Sequence, residues 1–69
     1  LGISYTEKQI LEVLKENGSA TLTGLAAKLG LSKTALQRDH ELYLLNKSLI
    51  EIDGKRKITN RGRQLCEKF

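Results

Sequence analysis

Residues 21–46, TLTGLAAKLGLSKTALQRDHELYLLN, contain two helical patterns with a very short connection between them. Apolar residues within 22–29 recur at the i, i+3, i+4, i+7 spacing of a one-faced helix, and Thr21 is a suitable N-cap. Gly30 can end this helix, and Ser32 is a suitable N-cap for the next one, from Lys33 to Asn46 or Lys47. Two helices joined by so short a turn are typical of a helix-turn-helix.

The second of these helices has two chemically different faces. Its apolar stripe consists of Leu36, His40, Tyr43 and Leu44, and its opposite, polar stripe consists of Lys33, Thr34, Gln37, Arg38 and Glu41. An α-helix fits the major groove of DNA, where glutamine and arginine pair with adenine and guanine edges, and polar residues at a helix start can hold phosphate. We therefore predict DNA contacts by Ser32, Lys33, Thr34, Gln37 and Arg38. Because every surface helix has a polar face, a merely solvated face is the alternative.

A first helix is predicted over residues 6–16. Either Ser4 or Thr6 can be its N-cap, since each is followed three residues later by Glu or Gln, as in a capping box. Thr6 is favoured because it would place Tyr5 and Ile10 at the two positions of a hydrophobic staple.

A β-hairpin is predicted after the helix-turn-helix. Ile50 and Ile52 alternate with Glu51, which is the period of a half-buried strand. Asp53-Gly54 is the strongest two-residue hairpin signal, and residues 56–59 would form the returning strand.

The complete order of elements predicts a winged helix: mainly α, with a three-helix core, a hairpin wing and a short C-terminal helix. Residues 19–22 can add one or two residues of edge strand, and residues 62–69 would form either a short last helix or a half-ordered tail. The predicted core consists of Ile10, Leu14, Leu25, Leu29, Leu36, Leu44 and Ile58.

Positive charge is concentrated in the second half of the chain. Residues 1–30 are neutral, and the whole formal excess of +4 lies in residues 31–69. Residues 53–63 carry Lys55, Arg56, Lys57, Arg61 and Arg63 against Asp53. A basic wing of this kind predicts contacts with a DNA backbone or minor groove. Arg61 and Arg63 flank the base of the wing, where they either contact phosphates as well or are solvated at the start of a helix. The alternative is a charged edge that prevents strand-to-strand aggregation.

Length and composition exclude several function classes. From 69 residues that begin with Leu1 rather than Met, we expect one domain that is the C-terminal fragment of a longer protein. No apolar run approaches the roughly 18–20 residues of a membrane span, and the single cysteine, Cys66, cannot form an internal disulfide, which favours the cytoplasm. His40 and Cys66 are too few to bind a metal, and no nucleophile–base pair or phosphate-binding loop is present. We therefore expect no metal, no cofactor and no catalysis in this fragment.

The motifs resemble one family of winged helices in particular. LAAKLG at residues 25–30 and ELYLL at residues 41–45 are similar to motifs of the C-terminal winged-helix domain of RuvB, the Holliday-junction branch-migration ATPase. Leu1-Gly2-Ile3 is similar to the start of that domain, and residues 50–59 correspond to its basic hairpin. Within the hairpin only Arg56 falls on an arginine of the family's Arg-Gly-Arg triplet. Leu42 replaces the family's proline, and Ser48 replaces a glycine.

The resemblance implies a function for the fragment and for its parent protein. It implies DNA binding by the wing through Arg56 and, more loosely, Lys55 and Lys57, on duplex or junction DNA in recombination and repair. It also implies that ATP hydrolysis belongs to upstream domains of an AAA+ helicase motor.

Two other functions stay open for the same fold. One is the DNA-binding domain of a transcription regulator, and the other is a winged helix that binds an acidic protein partner. The basic wing favours DNA, whereas Leu42 and Leu45 on the third helix leave room for a protein.

Overall fold

The computed structural model describes residues 3–69 and contains the predicted winged helix. The helices are α1 (Tyr5–Asn17), α2 (Leu22–Leu29), α3 and α4 (Asn60–Cys66), and the strands are β1 (Ser19–Ala20), β2 (Ile50–Asp53) and β3 (Lys55–Ile58). Helix α3 is continuous but consists of Lys33–Leu36, a π-helical segment at Gln37–Glu41, and Leu42–Asn46. Leu1 and Gly2, which open the family motif noted above, lie outside the described residues.

The N-cap of α1 is Ser4, so the prediction of Thr6 is wrong. The Ser4 hydroxyl accepts a hydrogen bond from the N–H of Glu7 at 3.3 Å, and the Glu7 carboxylate accepts one from the N–H of Ser4 at 2.9 Å. The predicted staple does not form, since Tyr5 is 75% exposed. The start at Ser4 puts Glu7 in the first turn, where its buried carboxylate both completes the capping box and binds His40 of α3.

The helix-turn-helix forms as predicted, from local hydrogen bonds. Thr21 caps α2 through Gly24, and the Ser32 hydroxyl caps α3 by accepting the N–H of Ala35 at 3.1 Å. Gly30 ends α2 in the left-handed conformation, with a φ of 70°, which glycine adopts without a Cβ clash.

The three strands form an antiparallel sheet with β3 in the centre, between β1 and β2. The two-residue loop predicted at Asp53-Gly54 is wrong, because Asp53 pairs with Lys55 and Gly54 alone links the strands. This register places Ile50 opposite Ile58, and both are buried. A two-residue loop would shift the pairing by one residue and put these two side chains on opposite faces. Burial of the apolar face therefore decides the register against the local turn preference.

The core lies between the helices and the inner face of the sheet. Its fully buried side chains are Ile10, Leu11, Leu14, Leu25, Leu36 and Leu44. Of the predicted core residues only Leu29 departs, since it is partly buried and packs against the core from its edge.

Helix α4 packs very closely on the base of the wing. A Cβ on Gly62 would collide with the backbone carbonyl oxygen of Leu49 and lie 2.7 Å from Cγ1 of Ile58. Thr59 caps α4 and donates a hydrogen bond from its hydroxyl to the carbonyl oxygen of Ser48 at 2.7 Å. Glycine at position 62 therefore fixes the distance between α4 and the hairpin.

Candidate nucleic-acid interface

The first half of α3 presents the polar residues that the sequence analysis assigned to DNA. Ser32, Lys33, Thr34, Gln37 and Arg38 are all exposed. The Arg38 guanidinium lies against its exposed neighbour Asp39, with 2.9 Å between Nε and Oδ1, and hydrogen bonding to Arg38 lowers the pKa of the Asp39 carboxyl. Such surface ion pairs contribute little to stability, so Arg38 can exchange this partner for another at low cost.

The outward face of the wing carries acids opposite its lysines. The register pairs Lys55 with Asp53 and Lys57 with Glu51, and all four residues are exposed. Directly opposed residues of a sheet lie on the same face, so this face holds two cations and two anions. The wing is therefore less basic than its sequence suggests. Ile50 and Ile58 can both face the core only in a register that puts them on the same face of the hairpin. This requirement was the signal in the sequence from which the acid–lysine pairs could have been predicted.

Arg56 lies on the opposite, inward face of the wing and is mostly buried. Its side chain is 11% exposed and forms two hydrogen bonds to the carboxylate of Glu41 in α3, at 2.7 Å and 3.3 Å. In this structure the Arg56 side chain is therefore directed towards α3 and not towards solvent, and its contact with DNA stays a prediction. A bidentate arginine–carboxylate pair of this kind is strong and specific in direction, so it holds the wing against α3.

The prediction that Glu41 belongs to the exposed polar stripe of α3 is wrong, because its carboxylate is buried in this ion pair. Glu41 is only 3% exposed because it lies in the π-helical segment, where the N–H of Leu42 bonds to the carbonyl oxygen of Gln37. The extra residue of a π-helical turn rotates Glu41 towards the face of the helix that carries the buried Leu36.

A second buried pair adjoins the first. His40 Nδ1 lies 2.8 Å from Oε2 of Glu7, with side-chain exposures of 19% and 9%. Burial raises the pKa of Glu7, but hydrogen bonds from Ser4 and His40 outweigh it and leave that pKa below its ordinary value. Two consecutive residues, His40 and Glu41, thus connect α3 to the start of α1 and to the wing.

The last two predicted DNA contacts, Arg61 and Arg63, lie on α4 and not on the hairpin. Both are exposed. Arg61 lines a pocket between α3 and α4 to which residues 50–58 contribute nothing. No local pattern in the sequence indicates this pocket, because its lining residues come from three separate stretches of the chain, at residue 3, residues 43–49 and residues 61–68.

Within residues 3–69, no group of three or more His, Cys, Asp or Glu side chains is arranged to hold a metal ion. Cys66 is buried, and burial raises the pKa of its thiol. None of the helices in the described part of the chain is long and apolar enough to cross a membrane.

Comparison with known proteins agrees with the fold and with the sequence resemblance. The model of the family described as the RuvB C-terminal winged helix domain matches residues 1–68 of the 69-residue chain. No match was found among curated proteins. The match covers the helix-turn-helix, the wing and nearly all of the chain after it, and it supports a role as a DNA-binding module. The chain therefore belongs to the family of RuvB C-terminal winged helix domains.

Proposed function

We propose that this domain grips duplex or junction DNA through the first half of α3 together with the wing. The observation that carries the proposal is the exposed polar face at the start of α3, presented by a helix-turn-helix of this family. Helices in this position enter the major groove in other winged and helix-turn-helix proteins.

The residues on this surface have different roles in the proposal. Lys33, Lys55 and Lys57 contact phosphates, with Ser32 and Thr34 as further hydroxyl donors. Gln37 and Arg38 lie where they can reach base edges. Arg56 acts as a positioning residue, since its guanidinium is occupied by Glu41 and fixes the angle between wing and helix.

Binding by the isolated domain is expected to be weak. The two wing lysines face acidic neighbours, so only a few phosphates are neutralised. We expect a dissociation constant on the order of 10⁻⁴–10⁻⁶ M at physiological salt, as for sequence-independent DNA binding. The domain would then contribute to a grip that other parts of its parent protein complete.

The proposed parent is a RuvB-like AAA+ helicase motor that acts in recombination and repair. The support is the family description, which places this winged helix at the C-terminal end of RuvB. ATP hydrolysis would belong to the preceding domains, and we expect the isolated chain to show no ATPase, nuclease or protease activity.

Titration of a labelled duplex and a labelled four-way junction at low salt tests the proposal by fluorescence anisotropy. Wild-type domain should bind both. The variants Lys33→Ala/Arg38→Ala and Lys55→Ala/Lys57→Ala should each weaken binding, and Glu12→Ala/Lys15→Ala on the exposed side of α1 is the control. Absence of binding at low salt would refute the proposal.

A transcription regulator is distinguished from a motor by comparing binding to duplexes of different sequence. If Gln37 and Arg38 read bases, changing them should alter preference among duplex sequences, whereas changing the wing lysines should weaken all sequences alike. If both changes weaken binding to every duplex sequence equally, a motor is favoured over a transcription regulator.

A further inference from the structure

A pocket of about 310 Å³ lies between the second half of α3 and α4, on a part of the molecule that the proposed DNA surface does not use. Its size is at the lower end of the range of about 300–1,000 Å³ that is common for ligand pockets. It can therefore hold one or two side chains of a partner.

The lining of the pocket combines an apolar floor with cations. The apolar part consists of Ile3, Leu49, Leu65 and the ring of Tyr43, and the polar part of Gln64, Lys47, Arg61 and Lys68. Lys47 Nζ lies 5.8 Å from the centre of the Tyr43 ring, so this cation is held above one wall. Among the described residues 3–69, no acidic side chain lines the pocket.

The three cations have no acidic neighbour among the lining residues, whereas each wing lysine faces an acid across the strands. Lys47, Arg61 and Lys68 are exposed, and the ion pairs found within residues 3–69 involve other residues. The pocket therefore brings three positively charged side chains and an apolar surface close together. Complementarity requires a ligand with negative charge and an apolar group close together.

We propose that this pocket binds an acidic peptide segment of a protein partner. One or two aliphatic or aromatic side chains of the peptide enter against Leu49, Leu65 and the Tyr43 ring, and flanking carboxylates pair with Lys47, Arg61 and Lys68. A DNA backbone offers phosphates but no apolar group to cover the floor, so it fits this surface less well.

The proposed peptide site is separate from the proposed DNA surface. It shares none of the residues at the start of α3 or on the hairpin, and it uses Arg61, which the sequence analysis had assigned to DNA. The domain can therefore hold DNA and a protein partner at the same time.

The test uses three labelled decapeptides as probes. EDELLFEDEG carries both features, QNQLLFQNQG keeps the apolar part without the charge, and EDESSSEDEG keeps the charge without the apolar part. Anisotropy gives affinity, and ¹H–¹⁵N correlation spectra locate the contact. We expect the first peptide to bind about tenfold more tightly than either of the others, with shifts at Tyr43, Leu49, Gln64 and Leu65.

Two variants of matched charge change connect binding to the pocket. Arg61→Ala/Lys68→Ala should weaken the first peptide about five- to tenfold, whereas Lys55→Ala/Lys57→Ala should leave it unchanged. All four residues are exposed, and thermal unfolding followed by circular dichroism verifies that both variants fold.

Several results would overturn the proposal. Equal binding of the three peptides, or unchanged binding by Arg61→Ala/Lys68→Ala, rules out the pocket as their site. If that variant loses duplex binding and no peptide binds, the pocket is assigned to DNA. If the spectral shifts of the pocket residues depend on protein concentration alone, the pocket is assigned to contact with a second copy of this chain. If DNA binding fails while peptide binding follows the pattern above, the proposed function is refuted and the peptide site stands.

Discussion

The π-helical segment of α3 and the outward face of the wing both place acids beside bases, but with opposite consequences. At Glu41–Arg56 the side chains are 3% and 11% exposed and hydrogen-bonded to each other. On the wing, Glu51 and Asp53 only face Lys57 and Lys55 across the strands, and all four are exposed. Buried charges must keep their partner because water cannot replace it, whereas exposed charges exchange partners readily. The first region therefore fixes the geometry of the wing, and the second is available to a ligand.

The largest expected effect comes from removing one partner of the buried pair. Glu41→Ala leaves the Arg56 guanidinium largely buried and unpaired, which should lower the free energy of unfolding by about 3–5 kcal/mol. Urea denaturation measures this. Replacing both residues by Leu should recover much of the loss, since apolar residues often substitute for a buried pair without net cost. A loss for Glu41→Ala as small as that of an exposed substitution would show that the pair is not buried in solution.

The contact between α4 and the wing base gives the next largest effect. Gly62→Ala introduces a Cβ against the Leu49 carbonyl oxygen and the Ile58 side chain, so α4 must move. We expect a loss of about 1–3 kcal/mol, as for other overpacked sites. Gln64→Ala, on the exposed side of the same helix, is the control and should change stability by about 0.5 kcal/mol or less. A stable Gly62→Ala variant with unchanged spectra around Leu49 would contradict this close packing.

The Glu7–His40 pair, which adjoins the Glu41–Arg56 pair, predicts a pH dependence of stability. Because the folded-state pKa of Glu7 lies below its ordinary value of 4.5, its ionised form stabilises the fold above that pH. This contribution should be lost as pH falls through the lower, folded-state pKa. The difference in unfolding free energy between wild type and Glu7→Gln should therefore shrink below pH 4.5.

Glu16→Gln, an exposed change on the same helix, is the control for the pH experiment. Its effect should stay within about 0.5 kcal/mol from pH 7 to pH 3. A difference between wild type and Glu7→Gln that grows as the solution becomes more acidic would contradict the assigned direction.

The smallest effect on stability is expected on the wing surface. Lys55→Ala/Lys57→Ala should change the unfolding free energy by about 0.5 kcal/mol or less, since both side chains are exposed. The same variant should reduce the slope of log affinity for duplex against log salt by about one to two, at about 0.9 per lost phosphate contact. An unchanged slope would show that the wing lysines do not contact DNA phosphates. The DNA surface would then consist of the start of α3 without the wing.

Most of the architecture could be predicted because its signals are local. Thr21, Gly30 and Ser32 each act through hydrogen bonds to residues within a few positions, and apolar spacing selects the buried face of each helix. The candidate site was predicted less well. The exposed start of α3 was placed correctly, but the direction of Arg56 was not, since its partner Glu41 is 15 residues away and sits in a π-helical turn.

The sequence by itself determined the order of elements, the helix-turn-helix and the presence of a wing, since periodicity, caps and turn residues act over a few residues. Only the tertiary structure decided which serine or threonine starts α1, which register the hairpin adopts and which cations stay free. Each of those choices depends on a partner that the chain brings close only when it folds: His40 for Glu7, Ile50 for Ile58, and Glu41 for Arg56. Burial of Glu7 and Arg56 costs free energy unless their charged partners are present, and Ile50 and Ile58 can both be buried only in the register that puts them on one face. The fold therefore selects among local alternatives that the sequence leaves nearly equal.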